Sequence, residues 1–161
     1  MKIVYVHHGN RKRSNPPTQN DDLTEIGYKD CELTAELFNN EGIRKNIKAI
    51  YTSPYFRCRK TAEIINKHLN VNIINDDRLN EFVEASGESW TDVQNRIIDI
   101  LDEIVEKYND DDIVICVTSG VNVAGFIVKA FGLNASQETP FLAIPSCSPI
   151  MFNFKKDKGN E

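Results

Sequence analysis

Residues 47–69, IKAIYTSPYFRCRKTAEIINKHL, contain the signals of a strand, a turn and a helix in direct succession. The first five of these residues are mostly apolar and rich in strand formers, which predicts a buried strand. Ser53-Pro54 then predicts a turn, and the stretch from Arg57 to Leu69 has apolar residues at helical spacing. A strand that leads through a short turn into a helix is the unit of a parallel sheet, so this stretch predicts an α/β fold.

The same alternation of short apolar runs and longer helical periods extends over the rest of the chain. We predict further strands at 3–6, 71–74, 113–117 and 150–154, and further helices at 24–41, 90–108 and 121–131. In the first of these helices, Thr24 is the expected N-cap, and Leu33, Leu37 and Phe38 are expected to share one face. We therefore expect a three-layer αβα sandwich, with helices on both faces of a mostly parallel central sheet and 150–154 as an edge strand.

The composition is that of a single globular domain. The chain has 161 residues, of which 40% are apolar and 27% charged. We expect residues 1–154 to form one domain and residues 155–161, KKDKGNE, to form a charged C-terminal tail.

No apolar stretch approaches the ~20 residues that a membrane-spanning helix needs, and the N-terminal residues lack the pattern of a signal peptide. A cytoplasmic protein is expected, with its four scattered cysteines reduced.

The charge balance bears on the class of ligand. Nineteen Lys and Arg residues against 24 Asp and Glu residues give a net charge of −5. This argues against general nucleic-acid binding, which needs a basic surface. A small anionic ligand is still compatible with the sequence, because a pocket in an acidic protein can be locally positive.

Polar side chains suited to phosphate chemistry follow four of the predicted strands. In α/β folds, ligands bind at the carboxyl ends of the strands, where the loops converge. The residues at these positions are His7-His8-Gly9, Arg57, Glu81 and Ser119-Gly120. Arg57 offers a planar fork to phosphate oxygens, and the two glycines let backbone amides approach a ligand. A histidine in such a site serves as nucleophile or as acid and base, and Glu81 is a candidate acid for a leaving oxygen.

Five short motifs also occur in a recognisable order. They are HHG at 7–9, LTEIG at 23–27, SPYFRCRKTA at 53–62, LNE at 79–81 and TSG at 118–120. Their order and spacing resemble those of the histidine phosphatase superfamily, also called the phosphoglycerate mutase-like family. The corresponding family motifs are Arg-His-Gly, Leu-Thr-x-x-Gly, Ser-Pro-x-x-Arg-x-x-x-Thr-Ala, Leu-x-Glu and, after a strand, Ser-His-Gly. The resemblance covers almost the whole chain, well beyond a single motif.

The resemblance implies a phosphoglycerate mutase-like fold and hydrolysis of a phosphomonoester through a phosphohistidine intermediate. By their places in the motifs, His8 is the implied nucleophile, Arg57 the second of two phosphate-binding arginines and Glu81 the general acid. The chemistry of the family needs no cofactor and no metal ion, and we expect neither. The implied partner is a phosphorylated small molecule or a phosphoprotein, with no nucleic acid and no membrane involved.

Two of the four central pocket positions depart from the family pattern. His7 stands where the family has its first arginine, and Ser119 stands where it has its second histidine. A histidine, with a reference pKa of about 6.5, is charged only part of the time near neutral pH, and a serine carries no charge. The loss of one preorganised donor typically costs roughly a hundred- to a thousandfold in rate. Weak or altered activity is therefore expected. The predicted phosphate-binding residues are His7, Gly9, Arg57, Ser119 and Gly120.

Several alternatives stay open at this point. Arg11 and Arg13 follow Gly9 closely, and we hypothesise that one of them contacts bound phosphate, the alternative being a solvated basic loop. A second alternative is a catalytically inactive relative that binds a phosphorylated ligand or a protein partner in the same cleft. A third is a serine hydrolase in which Ser119 is the nucleophile. Glu81 has the alternative of a structural ion pair with Arg78 or Arg96.

Overall fold

Five strands form one sheet in the described residues of the computed structural model, which are 1–15, 18–82, 87–133 and 143–154. The strands are β1 (Lys2–His7), β2 (Ile47–Thr52), β3 (Asn72–Asn75), β4 (Ile113–Thr118) and β5 (Pro149–Asn153). Their order across the sheet is β3-β2-β4-β1-β5, with β1 to β4 parallel and β5 antiparallel to β1. The predicted mostly parallel sheet and its edge strand are therefore confirmed. The predicted tail at 155–161 lies outside the described residues.

The helices alternate with the strands along the chain. They are α1 (Glu25–Phe38), α2 (Glu41–Arg44), α3 (Phe56–Asn66), α4 (Trp90–Lys107) and α5 (Gly120–Ala130), with a 3-10 turn at Asp77–Leu79. Thr24 caps α1 as predicted, since its side chain accepts the Gly27 N–H at 3.0 Å. The sequence pattern does not predict α2 or the 3-10 turn, because a single turn is too short to show a period. No helix in the described part of the chain is long and apolar enough to cross a membrane.

Each face of the sheet carries its own apolar core, because successive strand residues point to opposite faces. On one face, Tyr5 of β1 belongs to a cluster with Ile100 of α4 and with residues of α5. On the other face, Val6 belongs to a cluster with Phe38 of α1 and Ile65 of α3. Helices thus cover both faces, and the three-layer αβα sandwich is confirmed.

The expectation for the apolar face of α1 is wrong. Leu33 and Leu37 are 64% and 55% exposed, so they do not share the buried face on which Phe38 lies. The buried residues of α1 also include Cys31 and Ala35, whose side chains are smaller than leucine. Small side chains let α1 approach α3 and the loop after β1 closely, and this close packing decides which face is buried.

The register of the sheet aligns the ends of β1, β2 and β4. His7 at the end of β1 pairs with Thr118 at the end of β4, and Thr52 of β2 pairs with Val117. Just beyond the last pair, the His8 N–H donates to the Thr118 carbonyl at 2.9 Å. The loops after these three strands therefore begin at one edge of the sheet, where ligands bind in α/β folds.

Candidate active site

His8 lies directly after β1, is 5% exposed and has both ring nitrogens bonded. Its Nδ1 lies 2.8 Å from the Gly9 carbonyl oxygen. A carbonyl oxygen only accepts hydrogen bonds, so Nδ1 carries the proton. Nε2 in turn accepts a hydrogen bond from the Arg57 Nε–H at 3.1 Å. The lone pair of His8 is therefore on Nε2, on the side of Arg57.

The surroundings of His8 favour the neutral imidazole. Burial of the ring lowers the pKa of His8 to about 3, and the charges of His7, Arg57 and Arg11 act in the same direction. At neutral pH the ring therefore carries no proton on Nε2. A neutral imidazole with a defined lone pair is the form that attacks an electrophile.

Arg57 connects His8 to Glu81. Its side chain lies in the first turn of α3, is 2% exposed, and donates from Nη1 to the Thr18 carbonyl at 3.3 Å. Nη2 of Arg57 forms an ion pair with the Glu81 carboxylate, which is 27% exposed. The structure thus brings together His8 from the loop after β1, Arg57 from the first turn of α3 and Glu81 from the segment after the 3-10 turn.

The alternative of a structural ion pair between Glu81 and Arg78 or Arg96 is not found in the described residues. Arg78 forms ion pairs with Asp76 and Glu103. Arg96 forms an ion pair with Glu88. Both alternative partners are therefore occupied elsewhere, and the Glu81 carboxylate faces the guanidinium of the candidate site.

Gly9 holds the loop of His8 against the helices. A Cβ atom on Gly9 would lie 2.7 Å from Cys31 Sγ and 3.0 Å from the Gly27 carbonyl oxygen, so a larger residue does not fit. The Gly9 N–H donates to Thr61 Oγ1 at 3.0 Å, and the Thr61 hydroxyl donates to the Arg57 carbonyl at 2.8 Å. Thr61 thus ties the His8 loop to α3. Thr61 belongs to the 53–62 motif, which is the signal that points to it.

His7 faces the start of α5. Its Nδ1 lies 2.8 Å from the Ile144 carbonyl oxygen and therefore carries a proton. A Cβ atom on Gly120 would lie 3.0 Å from the His7 ring, so glycine is what allows the ring to sit there. Burial lowers the pKa of His7 below its usual value, although the Ile144 carbonyl opposes this shift. In its neutral form His7 has an accepting Nε2 and no second N–H for a phosphate oxygen.

Ser119 serves as the N-cap of α5. It is 1% exposed, and its Oγ accepts the Asn122 N–H at 3.3 Å. The hydroxyl is thus engaged with the helix, while the Nε2 of His8 is engaged with Arg57. This arrangement is not the nucleophile and base pair that a serine hydrolase needs, since no hydrogen bond joins Ser119 to His8 in the described residues.

A cavity of about 320 Å³ lies over the histidines. It is lined by His7, His8, Asn10, Arg11, Arg13, Glu81, Gly120, Val121, Ala143, Ile144 and Ser146. Arg11 and Arg13 therefore reach the candidate site, and Arg11 Nη1 forms an ion pair there with Asp21. Asp21 is 5% exposed and also accepts hydrogen bonds from Ser14 and Thr18. These bonds, that of Ser14 most strongly, hold the pKa of Asp21 well below its usual value.

A second cavity of about 610 Å³ adjoins the first through Glu81, which lines both. Its other lining residues are Gln19, Tyr55, Asp77, Asn80, Gly87, Glu88, Asp92 and Arg96. Glu81 thus lies between the two cavities.

Comparison with known proteins identifies proteins that are similar to this chain. The chain is 28% identical over 116 residues to phosphoserine phosphatase 1 of Hydrogenobacter thermophilus, which covers 69% of the chain and 48% of that protein. The chain thus matches about half the length of this relative. Among solved structures, Bacillus stearothermophilus YhfR superposes with a TM-score of 0.77 at 19% identity, over 93% of this chain and 89% of that one.

A third similar protein is a phosphoserine phosphatase mutant from Entamoeba histolytica, solved in complex with phosphoserine. It has a TM-score of 0.75 at 15% identity, over 96% of this chain and 91% of that one. These two structures agree with the phosphoglycerate mutase-like fold implied by the motifs. The model of the histidine phosphatase superfamily (branch 1) matches residues 6–85 and 81–160, and the chain belongs to this superfamily.

Proposed function

We propose that the protein is a phosphatase that hydrolyses a phosphomonoester through a phosphohistidine on His8. The observation that carries this proposal is the geometry of His8, whose Nδ1 is bonded to the Gly9 carbonyl and whose Nε2 lies 3.1 Å from the Arg57 Nε. A nucleophile and a cation that binds phosphate are thereby adjacent in one cavity. Positioning and electrostatic stabilisation of this kind account for most of the catalysis of phosphoryl transfer. Residues 1–154 would form the single domain that carries this function.

The reaction would begin with an exchange of partners at Arg57. In the unliganded site the guanidinium binds His8 Nε2 and the Glu81 carboxylate. An incoming phosphate would take over these N–H groups and free the lone pair of Nε2. Once Arg57 has left it, Glu81 would take up the proton of the incoming phosphate monoanion. Nε2 would then attack phosphorus while the bond to the leaving oxygen breaks, and Glu81 would give that proton to the leaving oxygen. Water would next attack the phosphorus of the phosphohistidine and break its bond to Nε2, with Glu81 taking a proton from the water.

The proposed phosphate clamp consists of the cationic side chains that hold the phosphate oxygens, and Arg57 is its first member. Its second positive charge would come from Arg11, with Arg13 beside it. Both arginines line the cavity of His7 and His8. Arg11 uses Nη1 for its ion pair with Asp21, and its guanidinium has further N–H groups to offer a phosphate oxygen. The charge of Arg11 already acts on His8, since it contributes to the low pKa of that ring. Gly9, Gly120, His7 and Ser119 remain proposed phosphate neighbours.

The substrate would be a phosphorylated small molecule or a phosphoprotein. Two of the relatives named above are phosphoserine phosphatases, one of them solved with phosphoserine. The larger cavity beyond Glu81 supports a leaving group that extends past the phosphoryl position. The chemistry proposed here uses the chain's own side chains and calls for no cofactor and no metal ion.

A non-catalytic phosphate-binding relative is the second candidate. The observation that favours it is His7, which in its neutral form presents an accepting Nε2 where the family has an arginine. Ser119 adds no charge, because it is a neutral side chain that caps α5. Such a protein would bind a phosphorylated ligand in the same cavity without turnover.

Hydrolysis of an aryl phosphate between roughly pH 5 and 8, the range in which histidine titrates, separates the two candidates. Wild type is compared with His8→Ala and with His7→Arg combined with Ser119→His. We expect turnover in the wild type, none in His8→Ala, and faster turnover in the double variant. A silent wild type with an active double variant would contradict the phosphatase proposal and support the binding protein.

A further inference from the structure

We propose that Cys31 and Cys147 are a thiol pair that peroxide oxidises to a disulfide beneath the loop of His8, and that this bond switches the site off. The loss of activity rests on the proposed function, whereas the formation of the bond does not. Their Sγ atoms lie 3.3 Å apart although the residues are 116 positions apart in the sequence. Both are free cysteines.

The position of Cys147 connects it to His7. Its N–H donates to the His7 carbonyl at 2.8 Å, and its carbonyl accepts from Thr34 Oγ1 at 2.9 Å. Its φ is +59°, in the left-handed region that favours glycine, so these contacts hold a conformation that is unfavourable for a cysteine. The neighbouring Ser146 lines the cavity over the histidines. A displacement of Cys147 would therefore reach the residue before His8.

The position of Cys31 connects it to Gly9 on the other side of His8. Its thiol lies 3.6 Å from Thr61 Oγ1, the atom that accepts the Gly9 N–H. Cys31 is 0% exposed, and its sulfur is the atom that a Cβ on Gly9 would meet at 2.7 Å. The thiol pair thus lies between two supports of the His8 loop, namely His7 through Cys147 and Gly9 through Thr61.

The reaction balances with one molecule of hydrogen peroxide. The Cys31 thiolate attacks a peroxide oxygen, which breaks the O–O bond and gives a sulfenic acid and hydroxide. The Cys147 sulfur then attacks the Cys31 sulfur, and the sulfenic oxygen leaves with a proton as water. Both sulfurs are oxidised, the peroxide is reduced, and the proton lost from Cys31 converts the hydroxide to a second water. The hydrogen bond from Cys147 lowers the pKa of Cys31, which favours it as the attacking thiolate.

Bond formation requires movement at the site. A disulfide has an S–S length of about 2.05 Å, so the two sulfurs must approach by roughly 1.3 Å from their present separation. The Cys31 sulfur also loses its proton and with it the hydrogen bond to Thr61. A misplacement of about 1 Å near reacting groups can lower the rate on the order of a hundredfold. We expect a loss of this size, reversed by dithiothreitol.

The test treats the full chain with hydrogen peroxide and reads the bond without using activity. We expect the intact mass to fall by two hydrogens, a non-reduced peptide map to link Cys31 to Cys147, and the backbone amide resonances of His8 and Gly9 to shift. Cys147→Ala and Cys31→Ala should each abolish the mass loss and the amide shifts. Cys116→Ala, which removes a buried thiol of β4, should keep them.

Each part of the proposal has a result that would overturn it. If Cys31 and Cys147 both still react with an alkylating reagent after peroxide treatment and unfolding, the disulfide does not form. If the Cys31–Cys147 bond is mapped but the amide resonances of His8 and Gly9 do not shift, the bond does not act on the site. A wild type without turnover would instead contradict the proposed function, since the peptide map and the amide shifts report on the disulfide independently.

Discussion

The two sides of His8 differ in what they offer to a phosphate. On the α3 side, Arg57 carries a permanent charge, is 2% exposed and is held by His8, Thr18 and Glu81. On the α5 side, burial lowers the pKa of His7, and Ser119 serves as a helix cap. Arg11 and Arg13 line the same cavity from the loop after β1, and Arg11 forms an ion pair with Asp21, which also accepts a hydrogen bond from Thr18.

The orientation of the proposed nucleophile and the positive charge of the proposed phosphate clamp depend on partly different residues. The orientation of His8 is complete without the α5 side, because Gly9 binds Nδ1 and Arg57 binds Nε2. In the proposed phosphatase, His7 and Ser119 would therefore remove charge from the proposed phosphate position and leave the proposed nucleophile oriented. We expect them to weaken phosphate binding more than they weaken the attack by His8.

The largest effect is expected on the α3 side. Arg57→Lys keeps the charge but loses the planar fork and the Nε–H that meets His8, so it should lower kcat/KM by roughly a hundred- to a thousandfold. The matched control is Arg59→Lys, an exposed residue of the same helix. Steady-state kinetics with an aryl phosphate measures both. Equal activity of Arg57→Lys and wild type would show that the guanidinium of Arg57 is not needed to bind the phosphate.

Glu81 is expected to affect phosphate binding and turnover in opposite directions. Glu81→Gln removes the proposed general acid and should lower kcat on the order of a hundredfold. It should also tighten the binding of inorganic phosphate, because Arg57 then has no carboxylate to exchange. Isothermal titration and kinetics read the two effects separately, with Glu103→Gln as an exposed control. Weaker phosphate binding together with an unchanged kcat would contradict both roles.

A change at Arg11, in the loop after β1, should have a milder effect and act mainly on KM. Arg11→Met removes the guanidinium proposed to replace the missing arginine and should raise KM about tenfold at nearly constant kcat, as for an interaction made equally in ground and transition states. Lys12→Met removes a neighbouring exposed charge and should leave KM unchanged. Similar KM values for the two variants would indicate that Arg11 does not bind phosphate and is a solvated loop residue.

An effect on stability rather than on activity is expected at mild acidity. The pKa of His8 is about 3 in the folded chain, against about 6.5 in an unfolded one. Between pH 3 and pH 6.5 the His8 ring binds a proton in the unfolded chain but not in the folded one. The contribution of the neutral His8 ring to the free energy of unfolding is therefore fully present above pH 6.5 and is lost as the pH falls toward 3. At pH 5 the loss is about 2 kcal/mol by this relation.

His8→Asn isolates this contribution, since its amide N–H can still reach the Gly9 carbonyl. Urea unfolding at pH 7 and pH 5 should show a smaller difference for His8→Asn than for wild type. The same difference in both proteins would mean that the His8 ring is not protected from protonation in the folded state.

The fold and the place of the site were predictable from local patterns. Thr24 marks the start of α1, and the residues that follow strand ends converge because parallel strands share one edge. The buried face of α1 was not predictable from hydrophobicity, since Cys31 packs inside while Leu33 stays exposed. Its packing depends on the loop of Gly9, which is distant in the sequence.

The partners within the site were less accessible to sequence reasoning. The motifs place Arg57 and Glu81 at one edge, but their ion pair depends on how two loops bend. Thr61 supports the site by accepting a hydrogen bond from Gly9, and Asp21 supports it through its ion pair with Arg11. Such a role cannot be inferred from the residue type alone. Long-range side-chain contacts of this kind follow from tertiary packing and not from a period or a cap.

Trapping the phosphohistidine intermediate tests most directly whether His8 is a working nucleophile beside an incomplete phosphate clamp. The wild type is mixed with a saturating aryl phosphate, quenched in base, where phosphohistidine is preserved, and mapped by mass spectrometry. We predict phosphate on His8 and a burst of the aryl alcohol of about one equivalent per chain. Turnover with phosphate on Ser119 or His7, or with no phosphorylated residue at all, would contradict the proposed role of His8 as the nucleophile.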